Sequence, residues 1–155
     1  MTDAPIGTGQ IPLTYKQSAA VCIFHKNSVC LGRRTLKCQL TGNDNSFGGY
    51  WSPFGGLVEE GENPMLGAVR ELKEETEIEI NPFDLQYMQQ LNNEDGFIYI
   101  LYAFHSDELL LPRLNFEHDE SGYFRITSLQ NSPSPMCPRV VEAILSYERR
   151  RWKGN

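Results

Sequence analysis

The sequence predicts a single domain of mixed α/β class, and three features of the chain carry that reading. Apolar runs of strand length alternate with polar, turn-rich segments, two stretches carry helical periodicity, and no internal repeat divides the 155 residues. A chain of this length buries an adequate core without disulfide or metal staples. Its hydrophobic content of 40% is that of a globular protein and not of a disordered one.

Residues 1–17 mix Gly, Pro and Thr without periodicity and read as a loose N-terminal arm, which leaves 18–155 as the domain. Ala20 to Phe24 is strand-like, Lys26-Asn27-Ser28 supplies turn chemistry, and Val29 to Leu31 resumes the apolar run, so the segment reads as a hairpin. Two Gly-rich loops follow, "LTGNDNSFGGYW" and "SPFGGLVEEGENP". Asn63-Pro64 is a helix start, an N-cap residue followed by proline at the first helical position, and the helix runs to about Glu77. Ile78 and Ile80 alternate with Glu79 as in a short strand, and Asn81-Pro82 closes it. "FIYILYAFH" (97–105) is a central strand and "SGYFRI" (121–126) another, reached through the polar loop "NFEHDE". After the loop "NSPSPMCP", the spacing of Val140, Val141, Ile144, Leu145 and Tyr147 gives a final amphipathic helix.

Charge and cysteine usage narrow the functional classes. The formal net charge of −6 disfavours nucleic-acid and acidic-membrane partners, with Arg149-Arg150-Arg151 as a local exception. Cys22, Cys30, Cys38 and Cys137 form no C-x-x-C pair, and His25, His105 and His118 add no zinc spacing, so free thiols in a reducing cytoplasm are expected. No run of about 18 apolar residues offers a membrane span.

The stretch "RELKEETEIEI" (70–80) holds five glutamates in eleven residues. At about 100° per residue, Met65, Ala68, Val69, Leu72 and Thr76 fall on the side that packs on a sheet. Glu71, Glu74 and Glu75 share a neighbouring side at i, i+3 and i+4, with Gly67 one turn earlier. Exposed like charges at these spacings cost only about 0.2–0.5 kcal/mol each, so a solvated face is also compatible with them. A glycine inside a helix costs about 0.5–1 kcal/mol, and its missing side chain clears space beside the carboxylates. Gly55-Gly56 allows close backbone approach just upstream. Glu62 can reach Arg70, which is itself i,i+4 from Glu74. Clustered carboxylates suit Mg²⁺ or Mn²⁺, ions that bind substrate phosphates, lower the pKa of bound water and orient its attack.

These residues resemble the Nudix hydrolase signature G-x5-E-x7-R-E-U-x-E-E-x-G-U, with U an aliphatic residue. Gly56, Glu62, Arg70, Glu71, Leu72, Glu74, Glu75 and Ile78 match it. The approach "GYWSPFGGLVEEGE" looks like the family's, with Phe54 where proline is common, and "EHDESGYF" resembles its downstream acidic loop. The resemblance covers about residues 18–147. Glu77 departs from it, standing where the signature has the glycine that closes the helix. The expectation is therefore a different helix end, running on a residue or two.

The resemblance implies an α+β fold of α/β/α sandwich type, with a mixed β-sheet between helices. It also implies metal-dependent attack of water on the diphosphate of a nucleoside diphosphate linked to a group X. By position, Glu71, Glu74, Glu75 and the Gly55 carbonyl would hold metal, while Glu74 and Glu117 are the catalytic candidates and Glu120 is the alternative to Glu117. Glu62 and Arg70 would brace the site. Arg33 is a candidate for phosphate and Trp51 for a base, each with surface or core packing as the alternative. His118 beside Glu117 is either near the site or structural. The expected partner is a small nucleotide, with homodimerisation open. A non-catalytic nucleotide-binding module and an RNA 5′-end processing factor remain as other functions.

Overall fold

The computed structural model describes residues 16–36, 47–93 and 96–153. Seven strands form one mixed sheet: β1 (Lys16–His25), β2 (Ser28–Arg34), β3 (Trp51–Ser52), β4 (Phe54–Leu57), β5 (Gln86–Asn92), β6 (Phe97–His105) and β7 (His118–Arg125). Helices α1 (Pro64–Thr76) and α2 (Pro138–Lys153) cover its two faces, and two 3₁₀ turns (Pro82–Asp84 and Ile126–Asn131) join the elements. The chain is thus an α+β sandwich, as the sequence implies.

β1 is the axis of the sheet because both of its faces are buried. Ala19, Val21 and Ile23 point to the α1 side with Phe54, Ala68 and Leu72, whereas Ala20, Cys22 and Phe24 point to the α2 side with Leu101, Val140 and Ile144. A strand with two buried faces needs an unbroken apolar run, and "AAVCIF" is one. Along one edge β1 pairs in parallel with β6 from Lys16 to Phe24. The other edge is shared: β4 takes Ser18 to Val21 and β2 takes Ile23 to His25, both antiparallel.

Several boundaries differ from the sequence reading. Lys16 and Gln17 belong to β1, and residues 1–15, the rest of the expected arm, lie outside the described set. So do residues 37–46, which hold Cys38 and most of the first Gly-rich loop. Ile78-Glu79-Ile80 forms no strand, and the two isoleucines pack as half-buried anchors against the α1 core. The strand of this region is β5 instead, an edge strand next to β6. β7 begins at His118, so part of the expected loop "NFEHDE" is sheet paired with β2.

The end of α1 corrects the expectation about Glu77. The helix stops at Thr76, and Glu77 itself takes the left-handed conformation (φ 63°, ψ 12°), its N–H donating to the Lys73 carbonyl. A signature glycine is replaced here without loss of the cap. The last helical carbonyls are then satisfied from the chain leading to β7: Arg113 N donates to Thr76 O, Asn115 N to Glu75 O and Asn115 Nδ2 to Glu74 O. That exchange fixes the 113–117 segment against the C-terminal turn of α1.

Candidate active site

The site is assembled where α1, β4 and the start of β7 meet. Asn63 Oδ1 accepts from Met65 N at 2.8 Å and starts α1, and Ala68, Leu72 and Thr76 are buried beneath it. The predicted apolar side therefore faces the sheet, and the carboxylate side is turned toward β4.

Arg70 organises the entrance. Its Nε and Nη2 hold both oxygens of Glu62, at 2.9 and 3.0 Å, in a bidentate fork, and Nη2 also donates to the Leu57 carbonyl. Nη1 donates to Glu71 Oε2 at 3.0 Å and to Glu74 Oε2 at 3.1 Å. Glu62 in turn accepts from Glu59 N. The Arg70 fork and the Glu59 amide hold the Glu62 carboxyl below its ordinary value, and the carboxylates raise that of Arg70. One guanidinium thus ties the Gly-rich loop to three glutamates of the signature.

The glycines make room for these carboxylates. A Cβ on Gly56 would fall on the Glu71 carboxylate, and one on Gly55 would fall on the Ala19 carbonyl of β1. Gly67 has a different reason from the expected space for a ligand: its Cβ would come within 2.9 Å of Glu62 Oε1. It is small so that Glu62 can reach Arg70.

Glu75 is the centre of the site and is fully buried. Its Oε1 accepts from Gly55 N at 3.1 Å, while Oε2 has no partner. Burial first, and then the neighbouring Glu117 and Glu71, push its carboxyl well above the usual range. Glu71 is also raised, by burial, against the pull of Arg70. Glu117 is brought opposite by Asn115, whose Oδ1 accepts from Glu117 N at 2.9 Å. Glu71, Glu75 and Glu117 each offer an oxygen, and these oxygens lie within 4.8 Å of one another. Three carboxylates that repel one another around an unpartnered buried oxygen fit the donor set of a hard divalent cation.

Not every candidate joins this group. Glu74 lies outside it, with its side chain 52% exposed and tied to Arg70. Glu120 pairs with Arg33 at 3.2 Å on the strand beyond, so Glu117 is the downstream carboxylate nearer the cluster. Arg33 also binds Asp119 at 2.7 Å, which raises its pKa, and its guanidinium lies 5.8 Å from the Trp51 ring centroid. Trp51 itself is buried at 6% exposure, edge-on to Phe124 in the α2-side core. Its ring is core, not an open stacking surface. One contributor is not legible in the sequence, and His118, open between site and structure there, is placed here. Asn115 bridges loop and helix, and its only signal was an Asx residue two before Glu117. His118 is buried at the edge of the cluster, 3.9 Å from Glu75.

Solved structures show how widely this fold is shared. The chain superposes on the MutT protein from Methanosarcina mazei Go1 with a TM-score of 0.73 at 21% identity, covering 88% of this chain and 95% of that one. An Ap4A hydrolase from C. elegans gives 0.61 at 17% identity, with 88% and 98% covered. A curated octanoyltransferase from Myxococcus xanthus is 34% identical over 97 residues, which are 56% of this chain and 26% of that protein. The chain therefore spans about a quarter of that relative's length. The NUDIX domain model matches residues 14–142. The chain therefore belongs to the Nudix family.

Proposed function

We propose that this protein is a divalent-metal-dependent pyrophosphohydrolase that cleaves the diphosphate of a nucleoside diphosphate linked to a second group. The observation that carries this reading is the approach of Glu71, Glu75 and Glu117, each with an oxygen within 4.8 Å of the others, together with the unpartnered buried Oε2 of Glu75. Glu71, Glu75 and Glu117, with the Gly55 carbonyl, are the residues that would hold Mg²⁺ or Mn²⁺. When bound, such an ion neutralises phosphoryl oxygens and acidifies water.

The protein's own groups divide the remaining work. Arg70 and Glu62 hold the Gly-rich loop at a fixed distance from α1. Glu74, exposed at the rim and restrained only by Arg70, is the general-base candidate because its carboxylate is open to the water that must be deprotonated. For the base of the nucleotide, the open aromatic pair is Phe47 and Tyr50, whose ring centroids are 5.9 Å apart. Phe47 is 61% exposed, and the Tyr50 carbonyl accepts from Arg34 N at the end of β2. These rings, unlike the buried Trp51, are open to a base.

We place the protein in the cytoplasm, which suits the free thiols of Cys22, Cys30 and Cys137. No described helix is long and apolar enough to cross a membrane. The test is a panel of nucleoside triphosphates, dinucleoside polyphosphates and nucleotide sugars with Mg²⁺, followed by release of phosphate, pyrophosphate or nucleoside monophosphate. Turnover of at least one member that is lost in chelator is the expected result. Tight nucleotide binding without turnover of any member would replace the enzyme with a binding module.

A further inference from the structure

His118 is in the wrong place for a surface histidine and carries the wrong chemistry for a core residue. Its side chain is fully buried at the start of β7, with the ring edge-on to Phe54 at 5.0 Å between centroids. Gly32 makes room for both rings, since a Cβ there would lie 2.6 Å from Phe54 Cε1 and 2.8 Å from His118 Cδ2. These contacts fix the ring but give it no polar partner. Nδ1, Nε2 and Glu75 Oε2 are the buried side-chain atoms without a hydrogen bond among the described residues.

Leaving a buried polar group unpaired costs its desolvation, which a phenylalanine in the same slot would avoid. The retained imidazole faces one carboxylate: Nδ1 lies 3.9 Å from Glu75 Oε1. That is about 1 Å longer than a typical N–H···O hydrogen bond. We propose that His118 is a positioning residue for Glu75, donating its ring N–H to Glu75 Oε1 when that carboxylate is ionised at a divalent cation. Oε1 already accepts from Gly55 N, so a second donor there fixes the carboxylate plane and leaves the unpartnered Oε2 to face the cation. The imidazole is too enclosed to touch substrate, and it acts only through Glu75. The inference rests on the reading of Glu71, Glu75 and Glu117 as a cation site.

The experiment measures Mn²⁺ affinity of the full chain by electron paramagnetic resonance, without nucleotide, for the wild type, His118→Phe and His118→Gln. Phenylalanine keeps the ring and loses the donor, while glutamine keeps an N–H. The expected result is a Kd raised about tenfold or more in His118→Phe and held within about threefold in His118→Gln, as for the loss or retention of an outer hydrogen bond. Thermal midpoints of the metal-free variants report packing separately. Wild-type affinity in His118→Phe would overturn the positioning role while leaving the cation site intact. No Mn²⁺ binding by the wild type would remove the cation site and His118's role together. Should His118→Phe fail to fold, the ¹⁵N resonances of the wild-type His118 ring decide the matter: a shift on adding Mg²⁺ supports the new hydrogen bond, and unchanged resonances overturn it.

Discussion

The two faces of the sheet bury polar side chains in opposite ways. On the α2 side, His105 Nε2 lies 2.7 Å from the Tyr147 hydroxyl, which donates to Gln86 Oε1 at 2.7 Å. Because the hydroxyl hydrogen goes to Gln86, His105 is the donor to Tyr147, and the buried hydroxyl both donates and accepts. On the α1 side, Glu75 and His118 are buried against each other with three atoms unpaired. One face is finished as a core, and the other holds carboxylates that a folded chain gains nothing from burying. The unsatisfied face is where a ligand's contribution is missing, and the satisfied face supplies the stability that lets it persist.

The sharpest way to break this contrast is to damage each face and ask what is lost. Ile144 is fully buried in the α2-side core. Ile144→Ala should cost about 2–5 kcal/mol of stability, read by denaturant unfolding, while leaving turnover intact at temperatures where the variant is folded. A specific activity loss without destabilisation would mean that this face is not merely support.

Glu75→Gln should do the reverse. Activity should fall by on the order of 10²–10³-fold, the size expected when one preorganised charge is removed. Metal-free stability should rise, because the amide relieves repulsion from Glu71 and Glu117. A relief of about 1 kcal/mol corresponds to roughly 2–4 °C in thermal midpoint for a chain of this size. The sign with pH follows from the direction of the shift. A carboxyl raised above its ordinary 4.5 favours folding in its protonated form, so its contribution is present below 4.5 and is lost as pH rises toward the folded value. The metal-free wild type should therefore lose stability relative to Glu75→Gln between pH 5 and 8, and Mg²⁺ should restore the wild type alone. A parallel pH course in the two proteins would contradict the assignment of Glu75 as the strained centre.

These contrasts explain what the sequence could and could not reveal. α1 was legible from its Asn63-Pro64 start to its apolar side because cap chemistry and the helical period are local. The glutamate spacing pointed to the cluster for the same reason. β5 was hidden because it is an edge strand with only Met88 and Leu91 buried, and a register shift between Tyr87 and Gln89 breaks its alternation. The alternation of Ile78 and Ile80 was a false strand, since two residues anchoring a turn mimic period two. The role of Asn115 and the burial of His118 depend on contacts some 40 residues away in the chain, which no local pattern encodes. Trp51 was ambiguous for the same reason, because only the arrival of Phe124 decides that its ring is core.

Glu77 is a smaller case, where local strain and fold disagree. It holds a left-handed conformation that the family fills with glycine, and its exposed ion pair with Arg113, at 3.8 Å, compensates little. Glu77→Gly should raise stability by about 0.5–1 kcal/mol in denaturant unfolding, with no change in turnover. Destabilisation would show that the Glu77 side chain contributes more to the helix end than its contacts suggest.

The smallest effect tests the satisfied face by its own titration. Burial first, and then Arg151, hold His105 below the ordinary histidine value of 6.5. A base with a depressed folded pKa is neutral in the native state, so the unfolded chain binds the extra proton first as pH falls. Its contribution to stability is complete above 6.5 and is lost as pH falls through the folded value. His105→Phe keeps the stack between Phe24, 5.0 Å away, and Tyr147, 5.9 Å away, but cannot titrate. The stability advantage of the wild type over this variant should be largest above pH 6.5 and shrink toward pH 5, with turnover unchanged throughout. Taking the difference between the two proteins cancels Glu75 and His118, which titrate on the other face. A pH-independent difference would mean that His105 binds its proton equally well in the folded and unfolded chain, and that burial on the α2 face does not hold off its charge.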